Sequence, residues 1–518
     1  MTDVASPAAG SAAPAAGKAE RRVSARFLTL LVLVVGTGSL GAEIAAARLM
    51  SPFFGDSTIV WANTIGVVLV ALSIGYWLGG KLSDRKPELR ALCGVILVAS
   101  VLIALIPFVA QPLFNASVSA LDEISAGTFI GSFFGVLALV AVPIVLLGTA
   151  SPWALRLAVS SVADAGKVAG RLYAVSTIGS LIGTMLSALV LIPFLGTQRT
   201  FICFALVIGL VAALGLRRRW LVVPVLIAAA LLIPVGTLKS QAGGEIVFED
   251  ESEHQYIRVI DRADGSRILE LNEGQAVHSL RKPNTVLTGD VWDGYLVLPF
   301  ARSEKPPERI AILGNAAGTT ARAYGHYFPE TEVDAVEIDP ELEKVGREYF
   351  DMGSNENLTV FNEDARPWLR SSEGGYDAIL VDAYHQPYIP FYLTTEEFFA
   401  EAREKLAPGG VLMVNVGHPE GSDDLEMVLG KTMSEVFTNV ARDPIEPTNT
   451  ILLGSDGELS ADTLRSAAEQ FPPELRSVAD ASAFALAPRL PGGTVYTDDR
   501  APVEWLIDAS ILGYAAEQ

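Results

Sequence analysis

The sequence has few cysteines and histidines, with two and five respectively among 518 residues. Both cysteines, Cys93 and Cys203, lie in apolar segments, which excludes a disulfide framework and a cysteine-based zinc site. Basic residues are scarce after residue 238, where 22 Lys and Arg accompany 50 Asp and Glu. Because nucleic-acid binding needs clustered cations, this deficit argues against a nucleic-acid partner. The acidic half would attract a cationic substrate, or its charge serves only to keep it soluble.

The first 238 residues have the opposite composition, with 16 Lys and Arg, 9 Asp and Glu, and long apolar runs. A mean hydropathy of +0.37 is too high for a soluble protein and too low for a pure membrane bundle. Residues 1–26 predict a disordered basic tail, and residues 27–238 predict a membrane domain of about seven helices. The predicted spans are 27–47, 58–80, 91–114, 128–151, 172–195, 200–216 and 220–237.

Loop charges predict the orientation of these spans. If the amino terminus is cytoplasmic, the tail and the loops on its side carry fourteen Lys and Arg, and the opposite loops carry only Arg48 and Arg199. The positive-inside rule favours this orientation. A seventh span would place the acidic half outside the cytoplasm, whereas six crossing spans would keep it inside. The side of the soluble domain therefore stays open.

From residue 245 onward the pattern changes to short strands. Strand-like stretches at 245–248, 256–260 and 267–271 are separated by glycine turns and predict a small antiparallel β domain over 245–285. Strands then alternate with helical stretches over 286–518, which predicts βαβ units and a parallel sheet. The strand candidates are 309–313, 332–338, 358–361, 376–382 and 410–416. The predicted fold class is a multi-pass α-helical membrane domain plus an α/β Rossmann-like, methyltransferase-type domain with a small amino-terminal β domain.

Candidate ligand contacts stand where these strands end, at the edge of a parallel sheet where ligands bind. Gly314 and Gly318 follow the first strand and allow the backbone to approach a ligand. Glu337, 19 residues past Gly318, ends the second strand, where a carboxylate can accept hydrogen bonds from both ribose hydroxyls. Asp364 follows the third strand and could bind an adenine amino group or cap the next helix. Asp382 ends the fourth strand.

The stretch from about 245 to 416 resembles the spermidine synthase family of aminopropyltransferases, and the whole arrangement resembles the bacterial membrane-fused members of that family. A bacterial plasma-membrane location follows from this resemblance. The matching motifs are His254-Gln255, Gln275, the glycine loop 314–318, Val336-Glu-Ile-Asp339, Asp364-Ala365, Asp382-Ala-Tyr-His385 and Leu393-Thr-Thr-Glu-Glu-Phe-Phe399.

The resemblance implies a donor, an acceptor and a base, with no metal. The donor would be decarboxylated S-adenosylmethionine, with methylthioadenosine as its product. Donor contacts are implied at Gln255, Gly314, Gly318, Glu337, Asp364 and Ala365. Asp382 would align the amine and accept its proton, and His385 is an alternative base. Acceptor contacts are expected at Gln275, Asp293, Tyr384, Asp498 and Asp499. The expected partners are a small cationic amine and the lipid bilayer, and a homo-oligomer such as a dimer is an open option.

Three departures from the family pattern leave the reaction open. Ala317 replaces a loop Asp, and His385 replaces the second gate-loop Asp. The His usually found before the first core strand is replaced by a residue near Trp292 or Asp293. With Ala317, the carboxylate of ordinary S-adenosylmethionine would meet less repulsion. Two alternatives are an S-adenosylmethionine-dependent methyltransferase and a polyamine- or nucleoside-binding transporter or sensor without turnover.

Overall fold

The computed structural model describes residues 24–54, 58–124, 128–233, 244–272, 276–384 and 388–517. Within these residues the chain forms a helical bundle, a four-stranded antiparallel sheet and an eight-stranded mixed sheet. The helices of the bundle are α1 (Ala25–Phe54), α2 (Thr58–Arg85), α3 (Leu89–Ile124), α4 (Thr128–Leu139), α5 (Ala141–Gly148), α6 (Ala150–Ala158), α7 (Ala165–Leu186), α8 (Ile192–Leu195), α9 (Thr197–Gly215) and α10 (Val222–Ala230).

Among the described residues, six stretches are long and apolar enough to cross a membrane. They are Ala25–Met50, Val60–Arg85, Leu89–Ala110, Ala141–Ala158, Val162–Leu195 and Thr197–Gly215. The predicted seventh span, 220–237, is not among these six stretches. The α-helix in its described part, α10, has only nine residues. A 3-10 turn at Arg218–Leu221 precedes α10 and delays its start, so the helix alone is too short to span a bilayer.

Helices α1 and α9 pack antiparallel. A Cβ atom on Gly215, at the end of α9, would lie 3.0 Å from Cζ of Phe27, near the start of α1. At the opposite end, Arg48 of α1 and Thr197 of α9 both contact Glu251. We call the side with Phe27 and Gly215 the entry face, and the side with Arg48 and Thr197 the docking face.

Helix α9 and the first strand end on opposite faces of the bundle. Helix α9 ends on the entry face at Gly215, whereas Glu251 ends the first strand on the docking face. The 19 residues of α9 separate the two faces by about 28 Å at about 1.5 Å per residue. Gly215 and Glu251 therefore lie at opposite ends of the bundle.

The four-stranded sheet is a meander in the order β1-β2-β3-β4. Its strands are β1 (Gly244–Glu251), β2 (Tyr256–Arg262), β3 (Arg267–Leu271) and β4 (Val277–Arg281), of which β4 was not predicted. Strand β2 is buried on both faces, with Ile257 packed in the cluster of Leu342 and Phe350, and Ile260 in the core of the larger sheet. This packing fixes the β1–β2 turn beside the α/β domain.

The eight-stranded sheet has the order β12-β10-β11-β9-β8-β5-β6-β7. Its strands are β5 (Arg309–Leu313), β6 (Glu332–Val336), β7 (Leu358–Phe361), β8 (Tyr376–Val381), β9 (Leu406–Gly417), β10 (Asn439–Glu446), β11 (Asn449–Ser455) and β12 (Ala487–Pro488). The five predicted strands form its parallel part, as expected for a Rossmann-like domain, and β10 to β12 add antiparallel strands that were not predicted. The helices of this domain are α11 (Gly294–Val297), α12 (Thr319–Tyr327), α13 (Pro340–Tyr349), α14 (Ala365–Ser371), α15 (Glu396–Lys405), α16 (Asp424–Val436), α17 (Ala461–Ala468), α18 (Pro473–Ala485) and α19 (Val503–Glu517).

The strand order reverses between β5 and β8, because the chain passes from β5 to β6 and β7 on one side and continues with β8 and β9 on the other. Gly314, with φ +91°, follows β5 at this point. A Cβ atom there would lie 2.5 Å from the carbonyl oxygen of Asp382, so only glycine fits between the two strand ends. Such a reversal opens a crevice at the carboxyl edge of the sheet.

Candidate active site

A cavity of about 450 Å³ occupies this crevice. Residues following four parallel strands line it, namely Gly314 after β5, Glu337 after β6, Asp364 after β7 and Asp382 after β8. Gln255 closes one side from the β1–β2 turn. The structure therefore brings the three predicted carboxylates into one cavity.

Glu337 is held by the backbone of the glycine loop and of its own strand end. Its Oε2 accepts a hydrogen bond from the Ala316 amide (2.8 Å), and its Oε1 accepts one from the Asp339 amide (3.1 Å). Burial raises the pKa of Glu337 to about 7, and these backbone hydrogen bonds oppose the rise. The carboxylate is thus fixed in place with lone pairs left for hydroxyl donors.

Gln255 is oriented by a second carboxylate behind Glu337. Its Nε2 donates to Oδ2 of Asp339 (3.2 Å), and Oγ of Ser252 donates to the same oxygen (2.6 Å). The other oxygen of Asp339 caps α13 by accepting from the Glu341 amide (3.0 Å). Asp339 therefore joins the β1–β2 turn to the strand end that carries Glu337.

Asp364 caps the next helix, which is one of its two predicted roles, and also lines the cavity. Its Oδ1 caps α14 by accepting from the Arg366 amide (3.1 Å), and its Oδ2 accepts from the hydroxyl of Tyr392 (2.8 Å). Asp364, Tyr392 and the neighbouring Ala365 all line the cavity. Capping occupies one oxygen, so the other remains near the cavity for a ligand amino group.

Asp382 lies partly buried between two neutral donors. Asn415 Nδ2 donates to its Oδ1 (2.8 Å), and the indole Nε1 of Trp292 donates to its Oδ2 (3.1 Å). Burial raises the pKa of Asp382, and the two hydrogen bonds lower it. A carboxylate with a raised pKa and fixed orientation can accept a proton near neutral pH.

Tyr384 supports the same arrangement. Its hydroxyl donates to the carbonyl oxygen of Asn415 (2.9 Å) and accepts from the Gly417 amide (2.7 Å). Burial raises the pKa of Tyr384, so its hydroxyl stays neutral. The ring lines the cavity beside Asp382.

Besides the exposed Glu363, two further acids, Asp290 and Glu446, line the cavity, and none of the three was predicted. Burial raises the pKa of Asp290 and that of Glu446. The negative charge of Asp290 raises the pKa of Glu446 further. A cation placed between them would relieve this repulsion.

Gly318 and Asp293 were predicted at the site but serve the fold instead. A Cβ atom on Gly318 would lie 2.4 Å from Cγ of Met352, so this glycine permits close packing behind the loop rather than approach to a ligand. The Asp293 carboxylate accepts from the amides of Thr288 (2.8 Å) and Gly289 (2.7 Å), which binds it to its own loop. Neither residue lines the cavity.

The predicted acidic cluster at 498–499 also lies elsewhere. Asp498 accepts two hydrogen bonds from Arg366 (2.7 and 2.8 Å), and the hydrogen bond from Arg366 holds the pKa of Asp498 below its usual range. Asp499 is exposed, and neither residue lines the cavity. Two other predicted contacts, Gln275 and His385, lie outside the described residues.

Comparison with known proteins agrees with this geometry. Residues 297–452 match the family model described as the spermine/spermidine synthase domain. A probable polyamine aminopropyl transferase of Bifidobacterium longum is 35% identical over 195 residues, which are 38% of this chain and 43% of that protein. Residues 297–452 therefore form a domain of the spermine/spermidine synthase type. Since the match covers less than half of the Bifidobacterium protein, it leaves the remainder of that protein unmatched.

One further curated protein and one solved structure are similar to this chain over different lengths. Polyamine aminopropyltransferase 1 of Streptomyces coelicolor is 26% identical over 431 residues, or 76% of each chain. The crystal structure of a probable spermidine synthase from Corynebacterium glutamicum aligns with a TM-score of 0.38 and 24% identity, covering 48% of this chain and 98% of that one. The Streptomyces match is longer than the soluble part of this chain and so extends into the helical bundle.

Proposed function

We propose that this protein is a membrane-bound aminopropyltransferase that moves the aminopropyl group of decarboxylated S-adenosylmethionine to a small cationic amine. The supporting observation is the single cavity that contains Glu337, Asp364 and Asp382 at the reversal of the strand order. The names of the curated relatives, polyamine aminopropyltransferases, support the same reaction class.

The adenosyl group would bind along the β6 and β7 ends of the cavity. Glu337 is positioned by two amides to accept hydrogen bonds from ribose hydroxyls. Asp364 would accept from the adenine amino group through the oxygen that now binds Tyr392. Gly314 and Ala365 leave room for the nucleoside, because neither has a side chain beyond Cβ.

In the proposed reaction the amine nitrogen attacks the methylene carbon next to the sulfonium. The new C–N bond forms as the C–S bond breaks, and the electron pair stays on sulfur to give methylthioadenosine. The amine loses its extra proton to Asp382, which Trp292 and Asn415 hold in a fixed orientation. Alignment and proton acceptance are the two tasks that the protein must perform.

Asp290 and Glu446 favour an acceptor with a second positive charge. Both line the cavity, and their pKa values are raised by burial. A distal ammonium would stabilise their charged forms while the proximal nitrogen lies near Asp382. The proposed acceptor class is therefore a diamine or longer polyamine.

The helical bundle would hold the enzyme in the lipid bilayer. Six of its stretches are long and apolar enough to span, and their outward surface includes exposed large apolar side chains such as Leu69, Trp77 and Phe194. Lipid would cover such side chains, which are rarely clustered on the surface of soluble proteins. The cytoplasmic amino terminus in a bacterial plasma membrane remains part of this proposal.

The test uses the full chain purified in lipid nanodiscs with decarboxylated S-adenosylmethionine and a panel of diamines. We expect methylthioadenosine and an aminopropylated amine in equal amounts, measured by mass spectrometry. The variant Asp382→Asn keeps the size of the side chain but removes the base, so the rate should fall by a factor of about 100 to 10,000. Methylthioadenosine should still bind to this variant.

A methyltransferase is the second candidate, and one observation favours it. Ala317 is buried, and its amide donates to Oγ of Ser279 (3.0 Å), so its position in the loop offers no carboxylate to repel a carboxylated donor. The same assay with S-adenosylmethionine decides between the two. Methylated amine from that donor, with no aminopropyl product from the decarboxylated one, would overturn the proposal. Nucleoside binding without any product would instead support a sensor or transporter.

A further inference from the structure

The first helix of the bundle holds the turn that carries Gln255. Nε of Arg48 lies 3.1 Å from Oε1 of Glu251, Nη1 donates to the carbonyl oxygen of His254 (2.9 Å), and Nη2 donates to that of Ser252. One guanidinium thus binds Glu251, which ends β1, and two residues of the following turn, Ser252 and His254. The Arg48 and Glu251 side chains are only 13% and 17% exposed, so little water competes for these contacts.

A second helix of the bundle binds the same carboxylate. The amide of Thr197, which begins α9, donates to Oε2 of Glu251 (3.4 Å), and the Thr197 hydroxyl donates to Oε1. Glu251 is therefore bound by α1 and α9 together. Any relative displacement of these helices at the docking face would change the position of the turn.

From this turn, hydrogen bonds lead to the proposed nucleoside site. Ser252 contacts Arg48 through its carbonyl oxygen and Asp339 through its hydroxyl (2.6 Å). Asp339 also accepts from Gln255 (3.2 Å), and its amide donates to Glu337 (3.1 Å). Gln255 and Glu337 both line the cavity. A continuous set of contacts thus joins a membrane helix to the groups that would hold the donor.

We propose that Arg48 is a positioning residue for the nucleoside site, so that the bundle sets the affinity for the donor as well as holding the enzyme in the bilayer. This inference rests on the proposed function for the identity of the ligand. It assigns no chemical step to Arg48, because its contacts reach the turn and not the cavity. Donor affinity should therefore depend on Arg48, and the rate at saturating donor and amine should not.

The experiment compares Arg48→Ala with Arg171→Ala in the full chain in nanodiscs. Arg171 is a matched control, since its Nη2 makes one hydrogen bond to Thr29 Oγ1 (2.6 Å) near the entry face, at the other end of α1. Calorimetry measures the Kd of methylthioadenosine, and kinetics separate the KM of the donor from kcat. We expect Arg48→Ala to raise both Kd and donor KM about tenfold, the scale of losing charge-assisted hydrogen bonds. Arg171→Ala should stay within about twofold of wild type.

Two more variants distinguish positioning from a loss of folding. Arg48→Lys keeps the charge next to Glu251 but lacks the planar fork, so it should restore only part of the affinity. Ser252→Ala leaves Arg48 in place and removes the hydroxyl that binds Asp339, so it should weaken methylthioadenosine in the same way. In the double variant Arg48→Ala with Ser252→Ala, the Kd of methylthioadenosine should rise by less than the product of the two single fold-increases. The reason is that both residues act through one set of contacts.

Equal affinities for Arg48→Ala and Arg171→Ala would overturn the inference, as would independent effects of Arg48 and Ser252. If Arg48→Ala does not fold, an unchanged methylthioadenosine affinity in folded Ser252→Ala also overturns it. The proposed function fails separately, when the wild type gives no aminopropyl product. In that case methylthioadenosine binding still measures whether Arg48 positions the site.

Discussion

The indole nitrogen of Trp292 donates a hydrogen bond to Oδ2 of Asp382 across 3.1 Å, and the two residues are 90 positions apart in the sequence. Asn415 donates to the other oxygen from β9. Asp382 therefore has both oxygens oriented by neutral groups, and no cation among the described residues is hydrogen-bonded to it. Its pKa is the balance of burial, which raises it, and these two hydrogen bonds, which lower it.

Replacing Trp292 by Phe should move the acid limb of the rate profile to higher pH. The substitution removes a hydrogen bond that favours the charged carboxylate, so the pKa of Asp382 rises further. Because the base must be unprotonated, the midpoint of kcat/KM on the acid side should rise by about one pH unit. The measurement is kcat/KM for the amine between pH 5.5 and pH 9, at intervals of about half a unit.

Trp368→Phe is the matched control for this prediction. Trp368 is also buried, at 4% exposure, but does not line the cavity. It should lose stability without a shift of the profile. An equal shift in both variants would show that general loosening, and not the lost hydrogen bond, moves the pKa.

The raised pKa of Glu337 predicts that nucleoside binding depends on pH. Burial raises its pKa to about 7, so the carboxyl is mostly protonated at pH 6 and mostly ionised at pH 8. Only the ionised form accepts hydrogen bonds from both ribose hydroxyls, so methylthioadenosine should bind about tenfold more tightly at pH 8 than at pH 6. Glu337→Gln should bind weakly at both values and lose this dependence. Glu330→Gln, at an exposed acid, should behave as wild type.

An unchanged Kd between pH 6 and pH 8 in the wild type would contradict the role of Glu337. Calorimetry in buffers of differing ionisation enthalpy adds an independent measure. If ionised Glu337 binds the ligand, protons are released on binding at pH 6 and the observed heat depends on the buffer.

Site residues that follow a parallel strand could be predicted from the sequence. Glu337, Asp364 and Asp382 each follow an apolar strand, and parallel strands bring their carboxyl ends to one edge. Gly314 belongs to the same group, since its small size is required where two strand ends meet. These positions follow from strand periodicity and connection rules, which are local properties of the chain.

Residues defined by distant partners could not be located in this way. Asn415 reaches Asp382 only because β9 pairs with β8. Asp498 was expected at the acceptor site, but its partner Arg366 is 132 positions away and holds it elsewhere. Glu446 stands at the end of β10, an antiparallel strand that was not predicted. Side-chain pairing across the sheet, which decides these cases, leaves no periodic signal in the sequence.

The acceptor assignment predicts a difference between diamines and monoamines. Asp290→Asn and Glu446→Gln should each raise the KM of a diamine by about tenfold, since each removes one charged partner of the distal ammonium. The KM of a monoamine of equal chain length should change by less than about twofold. Asp462→Asn is the control, because that side chain is 91% exposed. Equal effects on both amines would place the second ammonium site elsewhere.

The direction of the bundle predicts that the two ends of the protein face opposite sides of the membrane. Helix α1 begins on the entry face, and the soluble domain binds Arg48 and Thr197 on the docking face. A cysteine introduced at exposed Ser477, with Cys93 and Cys203 replaced by Ala, reports the side of the soluble domain. A tag ahead of residue 24 reports the side of the amino terminus. Intact cells and inverted vesicles should give opposite accessibility for the two probes.

The charge asymmetry adds the absolute direction to this prediction. With fourteen Lys and Arg on the amino-terminal side, the positive-inside rule predicts that the tag is protected in intact cells and that Ser477→Cys reacts with an impermeant maleimide, whereas a cytoplasmic donor requires the reverse. Labelling of both probes from one side would contradict the antiparallel arrangement of α1 and α9 across the bilayer. Labelling of the tag alone would keep that arrangement and reverse the orientation. The donor would then meet the transferase domain in the cytoplasm, and Arg48 would bind the β1–β2 turn at the cytoplasmic surface.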